Sequence, residues 1–397
     1  MKKNSTQGRT QKNSSQEFLQ GAKIDLVKGF KDFDGEEAVK REEVKRIIAE
    51  TFEKYGFESA ETPIVEYEEF VRGSNANDEA VRDIFKLQDR GKRKLALRYE
   101  FTFQLKRLAK GKKLPYRRYQ IGYNFRDEPV RAGRLRQFIQ CDADVIGSSV
   151  RDEAENLSIL KEVLGKLGIN FTIYINNRKL LNEILEKEKI KDKESVIREI
   201  DKLDKLQEGE VEKNLKKFKA EKILTIFKKP EKFFEKYETY KEIKELKKYC
   251  KFFGLSVRFR PFLARGFSYY NGMVFEVWTK DMGVSICGGG SYTIENQQST
   301  GISFGLEPIM LLAKTDLDKE KYLVISLEKD REAIKLAQRL REQGKICGIY
   351  YGKPSKAMEY ANAKKIDKVI FVGKKEIESG KFKVKDMASG GEVGLKI

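Results

Sequence analysis

The chain has 397 residues, 36% of them charged and 40% hydrophobic, with a formal net charge of +19 and no histidine. Its length allows two or three domains with their own cores, and the cationic surplus favours a polyanionic partner, nucleic acid being the usual one, although a Lys-rich composition alone gives the same number. The missing histidines exclude a Ser-His-Asp triad, a His-based zinc site and any imidazole acid or base, and no apolar run approaches the roughly 20 residues of a bilayer span.

Cys141, Cys250, Cys287 and Cys347 form no CxxC pair, which argues against a zinc knuckle or a disulfide scaffold and fits a reducing compartment. Residues 1–20 read as a flexible polar tail without the apolar run of a secretory signal. In 25–60 a Gly/Asp-punctuated entry leads into an amphipathic helix, with Ala38, Val44, Ile47, Ile48 and Phe52 at helical spacing before a turn at Tyr55-Gly56. ETPIVEYEEF then reads as a strand, 83–89 and 94–98 as a hairpin, and 101–110 as a helix. The segment 116–147 alternates with period two on either side of a polar loop, DEPVRAGR. Parity puts Arg118, Gln120, Asn124 and Arg126 on one face of its first strand and Arg136, Phe138, Gln140, Asp142 and Asp144 on the matching face of the second, so two antiparallel strands present a polar floor over an apolar layer.

A helix over 151–168 closes at Gly168, and from about 176 to 253 the chain turns into Lys/Glu/Leu-rich helices, the composition shift of an inserted domain. Strand signals return at 256–259 and 273–278, followed by CGGGSY (287–292) and an apolar helix over 303–313. After the charged linker TDLDKEK, strands at 322–327 and 346–351, helices between them and at 355–363, and a final KVIFVG give a βαβαβ order, that of a small doubly wound domain.

RYQIGYNFRDEP…GRLRQFIQCDADVIG resembles motif 2 of the class II aminoacyl-tRNA synthetases in its histidyl version. LARGFSYYNGMVFEVW and CGGGSY are similar to the two histidine-specific signatures of that family, GISFGLEPIMLL to motif 3, and KGFKDFDGEEAV…YGFESAETPIVE to motif 1. The resemblance spans about residues 25–390; the class I signature is ruled out, since it contains histidines. It implies an α+β catalytic domain built on an antiparallel sheet, the class II synthetase fold, over 21–175 and 254–315, a helical insertion domain over 176–253, and a C-terminal α/β anticodon-binding domain over 320–397. It further implies a cytoplasmic homodimer joined through motif 1, with ATP, Mg2+, histidine and tRNA(His) as its ligands and no membrane.

Adenylate formation explains these residue types. The attacking carboxylate is already ionised, so the difficulty is electrostatic and fixed cations answer it. The resemblance assigns Arg126 and Arg265 to the α-phosphate, Glu128 to adenine, Phe138 to adenine stacking and Arg136 to ATP. Glu100 and Thr102 would hold the amino group and Gln140 the histidine carboxylate or amine. Asp144 and Tyr270 would meet the two ring nitrogens, with Tyr269 and Tyr292 walling the pocket; Arg131 and Arg134 would address the tRNA acceptor end. Taken without the resemblance, the same hairpin reads as an exposed ion-paired surface and the tyrosines as strand aromatics. Gly288, Gly289 and Gly290 suit either a close ligand approach or a tight strand turn, and Lys213–Lys219 reads as a solvated helix face.

Three departures stand out. Pro308 occupies the place of the motif 3 arginine that holds the γ-phosphate; Ser268 stands where aspartate is common; Ser291 and Thr293 replace an arginine and an aspartate around Tyr292. They keep open a rival reading, a non-catalytic paralogue serving as regulatory subunit of ATP phosphoribosyltransferase, and more remotely a class II enzyme of another specificity.

Overall fold

The alternation in 116–147 produces two antiparallel strands, β5 (Tyr116–Phe125) and β6 (Gln137–Ile146), following the short strands β1 (Glu58–Ser59), β2 (Val65–Tyr67), β3 (Lys86–Gln88) and β4 (Lys94–Leu97). Their register sets Arg118 opposite Asp144, Gln120 opposite Asp142 and Gly122 opposite Gln140, so the polar residues of both strands share one face. The computed structural model describes residues 25–73, 79–204, 206–283, 285–314 and 320–395; the expected tail at 1–20 lies outside them. The chain divides into two compact units, Met1–Thr315 and Asp316–Ile397.

The first unit continues with β7 (Thr172–Asn177), β8 (Val257–Phe259), β9 (Met273–Trp278), β10 (Ser285–Ile294) and β11 (Gln297–Gly305). These five strands join β1, β5 and β6 in an eight-stranded sheet of order β1-β5-β6-β11-β10-β9-β7-β8. It is antiparallel in its centre and parallel only in the outer pairs β1–β5 and β7–β8. β2, β4 and β3 make a small antiparallel sheet beside it.

The apolar face of the large sheet (Ile139, Cys141, Ala143, Val145, Phe304) is covered by the Gly35–Lys54, Val150–Lys166 and Leu306–Leu312 helices. Val44, Ile48 and Phe52 of the first helix are fully buried, each stabilising by about 1.5–3 kcal/mol. Between β7 and β8 the chain is helical, and Leu181, Ile197, Leu215 and Ile243 from this segment share one core cluster with Ile175 and Val277 of the sheet.

Three expectations change. The strand expected at ETPIVEYEEF is reduced to Val65–Tyr67, and Glu68–Arg72 after it is helical. The helix expected over 101–110 shrinks to Leu105–Leu108, because Tyr99, Glu100 and Phe101 are buried in succession, which one helix face cannot achieve. The helix expected over 303–313 spans only Leu306–Leu312, and 297–305 is instead the strand β11. The turn that feeds this strand, Glu295-Asn296, has φ of 47° and 63° at its two residues, the left-handed pair that tightens a two-residue hairpin.

The second unit has the expected parallel strands, β12 (Lys321–Ser326), β13 (Ile346–Tyr351) and β14 (Lys368–Val372), with the Asp330–Glu342 and Pro354–Ala363 helices between them. Two further antiparallel strands, β15 (Lys383–Asp386) and β16 (Glu392–Gly394), complete a five-stranded sheet of order β13-β12-β14-β15-β16.

Arg41 and Glu307 pin the first helix to the Leu306–Leu312 helix through an ion pair of 2.8 Å with both side chains 6% exposed. The second Glu307 oxygen accepts from the Ile139 N–H at 3.1 Å. Removing one partner strands a buried charge, so Arg41→Met is expected to destabilise by about 3 kcal/mol. Arg41→Met/Glu307→Met should recover part of that loss in urea melts; a double variant weaker than the single one would refute the assignment.

Candidate active site

The polar faces of β6, β11, β10 and β9 line a cleft of about 340 Å³; the polar residues of β5 (Arg118, Gln120 and Asn124) are buried and do not reach it. Glu100, Thr102, Arg126, Glu128, Arg131, Arg134, Phe138, Gln140, Asp144, Arg265, Tyr269, Tyr270 and Tyr292, distant in sequence, all line it. Arg136 is the expected residue that does not. β6 begins at Gln137, so the parity that aimed Arg136 at the floor does not yet apply. Its guanidinium pairs with Asp127 at 2.9 Å and donates to the Glu128 carbonyl at 3.2 Å, outside the cleft lining.

Carboxylates crowd one part of the cleft. Glu100 is 4% exposed; burial pushes its carboxyl up to about 8, against the Arg126 charge and the Tyr269 hydroxyl, which donates to Oε2 at 3.1 Å. Burial, and then the neighbouring Asp144 charge, carry Asp142 up to about 7, and burial raises Asp144 as well. Asp144 is held on both sides: Arg118 Nη2 lies 2.8 Å from Oδ2, and the Tyr292 hydroxyl donates to Oδ1. β11 passes beneath this contact at Gly301, where a Cβ would collide with Asp144 and stand 3.3 Å from the Tyr292 hydroxyl, so only glycine leaves room. Gln140 is fixed by Asn124, which donates to its Oε1 at 2.8 Å, and by Ser303, whose hydroxyl accepts from its Nε2 at 2.9 Å. Tyr269, Tyr270 and Tyr292 form one aromatic wall with ring centroids 4.8–6.5 Å apart.

Arginines crowd the other part. Arg126 lies between the two groups, its Nε donating to the Tyr99 carbonyl at 3.1 Å and its guanidinium 5.1 Å from the Phe138 ring centroid. Glu128 is shared between Arg126 at 3.9 Å and Arg134 at 3.6 Å. Burial lowers Arg134, Glu128 opposes this, and the charges of Arg131, Arg126 and Arg265 add to the lowering. Burial also pulls Arg265 down, but the charges of Glu276, Tyr270 and Asp201 with the Glu276 hydrogen bond leave it above the ordinary arginine value. Pro308 lines the cleft in the Leu306–Leu312 helix, and a Cβ built at Gly133 of the loop would lie 3.5 Å from its Cα.

Further residues line the cleft without having been assigned a role from sequence: Asp142, Ser303, Glu276, Trp278, Asp201 and Asp204. Glu276 had a signal, a lone charge in the apolar run Met273–Trp278. Asp201 and Asp204 lie in IDKLDKL, a stretch the family resemblance covers, but no local pattern aims them at the cleft, because only the folding of the helical segment brings them there.

The raised carboxyls carry a pH consequence. Folded Glu100 keeps its proton up to about 8, whereas the unfolded group releases it near 4.5; its contribution to stability is therefore present below 4.5 and lost as pH rises through about 8. Asp142 acts in the same direction through about 7. The melting temperature of the ligand-free protein should fall as pH is raised from about 5 to about 8, and fall less steeply in Glu100→Gln; equal slopes would show that Glu100 is not desolvated.

The family model described as histidyl-tRNA synthetase matches residues 29–309, and one described as anticodon binding domain matches 321–397. A histidine–tRNA ligase of Bacillus cereus is 34% identical, with 94% of this chain and 97% of the relative covered. One of Methanocaldococcus jannaschii is also 34% identical, covering 91% and 95%. The crystal structure of histidyl-tRNA synthetase from a Nostoc species superposes with a TM-score of 0.81 at 24% identity, covering 94% of this chain and 97% of that one, which shows a shared fold. On the family model and these relatives, the chain belongs to the histidyl-tRNA synthetase family.

Proposed function

We propose that this cleft joins histidine to tRNA(His) in two steps, histidine activation by ATP and then acyl transfer to the terminal hydroxyl of the tRNA. Family membership makes the chain an aminoacyl-tRNA synthetase and a ligase. The observation that supports its chemistry is the division of one cleft into buried carboxylates and clustered arginines, with Arg126 between them. The ammonium of histidine belongs with Glu100, Thr102 and Asp142, where a cation offsets the cost of ionising buried acids. Its ring belongs against Tyr269 and Tyr292, with Tyr270 and a remaining lone pair of Asp144 serving the two nitrogens; a pocket that pairs both rejects analogues lacking either.

The histidine carboxylate then attacks the α-phosphorus, the bond from that phosphorus to the bridging oxygen breaks, and pyrophosphate leaves. Arg126 and Arg265 stabilise the charge gathering on the α-phosphate. Glu128 and Phe138 receive the adenine, and Arg134, beside Pro308, takes the terminal phosphate that an arginine at 308 would hold. Arg136 supports the loop through Asp127 instead of contacting ATP. In the second step the carbonyl accepts the tRNA hydroxyl, a phosphate oxygen of the adenylate takes its proton, and AMP leaves. Gln140 orders that step, so no imidazole is needed. Among the described residues no group of three or more Cys, Asp or Glu side chains is arranged to hold a metal. Mg2+ would enter with ATP, as the counter-ion of its phosphates.

Arg131 and Arg134 address the acceptor end, lysines of the helical segment grip the backbone, and the unit from Asp316 reads the anticodon. The 176–253 segment serves as the inserted domain of a cytoplasmic homodimer joined through the motif 1 region. No described helix is long and apolar enough to cross a membrane. The regulatory-subunit reading is weaker, since the cleft keeps both its carboxylates and its arginines and the anticodon unit is present.

Histidine-dependent ATP–pyrophosphate exchange tests the reading. Arg265→Ala is expected to lower exchange by at least about 100-fold while calorimetry still detects histidine. Near-normal exchange in that variant overturns the role of Arg265; histidine binding without exchange in the unaltered protein favours the regulatory subunit. Light scattering at micromolar concentration should give twice the chain mass, and a monomer would contradict the dimer.

A further inference from the structure

Behind Arg265 stands a chain of side chains that the reaction itself does not use. Arg265 Nη1 pairs with Glu276 Oε1 at 2.6 Å, and the other Glu276 oxygen accepts from the indole N–H of Trp278 at 3.0 Å. Glu276 and Trp278 are two apart on β9 and so project to one side. Glu276 faces Gly288 across the register; a Cβ there would lie 2.7 Å from Arg265 Cζ, so the guanidinium rests against bare backbone. Arg265 Nε is buried and finds no acceptor among the described residues, so the guanidinium is held through Nη1.

The chain continues away from the cleft. The Arg260 guanidinium lies 5.2 Å from the Trp278 ring centroid and 3.5 Å from that of Tyr174, and its Nη1 pairs with Asp204 at 3.0 Å. Asp204 ends the turn Asp201–Asp204, which directly follows the Lys193–Ile200 helix of the helical segment. Carboxylates at that end of a helix oppose its dipole. Their compensating charges are Arg260, in an ion pair with Asp204, and Arg265 of the cleft for Asp201.

We propose that Glu276, clamped by Trp278, is a positioning residue that aims Arg265 at the α-phosphate, and that Asp204 and Arg260 couple this aim to the helical segment. The inference rests on the assignment of Arg265 to that phosphate. A guanidinium pinned at Nη1 presents the remaining edge at a fixed angle, and a displacement of the order of 1 Å at such a group costs about 100-fold in rate. Movement of the helical segment, as when its lysines engage tRNA, then reaches Arg265 through packed charges and one indole.

Trp278 is the chain's single tryptophan, so its emission reports on the link directly. In the full-length protein, Glu276→Gln is expected to lower kcat for ATP–pyrophosphate exchange by about 10- to 100-fold with the histidine KM changed less than about twofold. Trp278→Phe, which keeps a ring for Arg260 but loses the N–H, should fall between Glu276→Gln and the unaltered protein. Asp204→Asn should lower kcat too, and Asp204→Asn/Glu276→Gln should be no worse than the poorer single variant. Addition of tRNA(His) should change the Trp278 emission, and Asp204→Asn should blunt that change. If Glu276→Gln fails to fold, Trp278→Phe carries the same test. Normal kcat in Glu276→Gln or Trp278→Phe beside an inactive Arg265→Ala overturns the positioning role. Additive losses in the double variant, or an emission change untouched by Asp204→Asn, overturn the coupling. An active Arg265→Ala sinks the α-phosphate assignment instead, and so is told apart from both.

Discussion

The carboxylate-rich half of the cleft depends on one buried cation. Arg118 is fully buried beneath the floor, with Asp144 opposite it in the register and 2.8 Å from its Nη2, and with the Phe101 carbonyl accepting from the same nitrogen at 3.3 Å. An unpaired charge at such depth would be prohibitive. The Asp144 ion pair and the Phe101 carbonyl, both at Nη2, tie β5 to β6 and to the Glu100–Thr102 turn, while Nε and Nη1 find no acceptor among the described residues. Asp144 in turn holds the Tyr292 hydroxyl, and the Arg118 charge opposes the upward push that burial exerts on Asp142. The carboxylate-rich part of the cleft is thus an arrangement of neighbours around Arg118.

The arginine-rich part follows the opposite logic. Arg126, Arg131, Arg134 and Arg265 converge on one another, and their repulsion is relieved only partly by Glu128 and Glu276. Such a cluster is stable enough to fold but is better satisfied with an anion among its members. A triphosphate answers that need, and the same crowding explains how a chain without histidine can run this chemistry: the nucleophile arrives ionised, and the barrier lies in bringing negative charges together.

How much of this was legible depends on whether a residue's direction is set locally. Along β5 and β6 the period of two decides which face each side chain takes, so Gln140, Asp142 and Asp144 could be placed by counting. The same counting failed at Arg136, one residue before β6 starts, where the chain is held by Gly29 and Asp127. β11 was missed because its first half, Gln297–Thr300, is polar, although Ser299 and Thr300 are fully buried between two strands. In a central strand burial follows from the neighbours, and no local pattern records it. Phe267, Asp201 and Asp204 reach the cleft by topology alone. The roles of the motifs come from resemblance, and periodicity supplies only their faces.

The helical segment shows why such long-range residues matter. Its core residues belong to the same apolar cluster as β7 and β9, and the Tyr240–Phe252 helix packs on the Val150–Lys166 helix. A segment that shares its core with the sheet cannot swing as an independent body without breaking apolar contacts, so any response to a bound partner must be a small shift of packed elements. Asp201 and Asp204 sit where a shift of that kind meets Arg265 and Arg260, and an ion pair translates a fraction of an ångström into a changed angle at a guanidinium. A rigidly shared core and a charged contact at its edge together make the cleft sensitive to the segment without requiring the segment to move far.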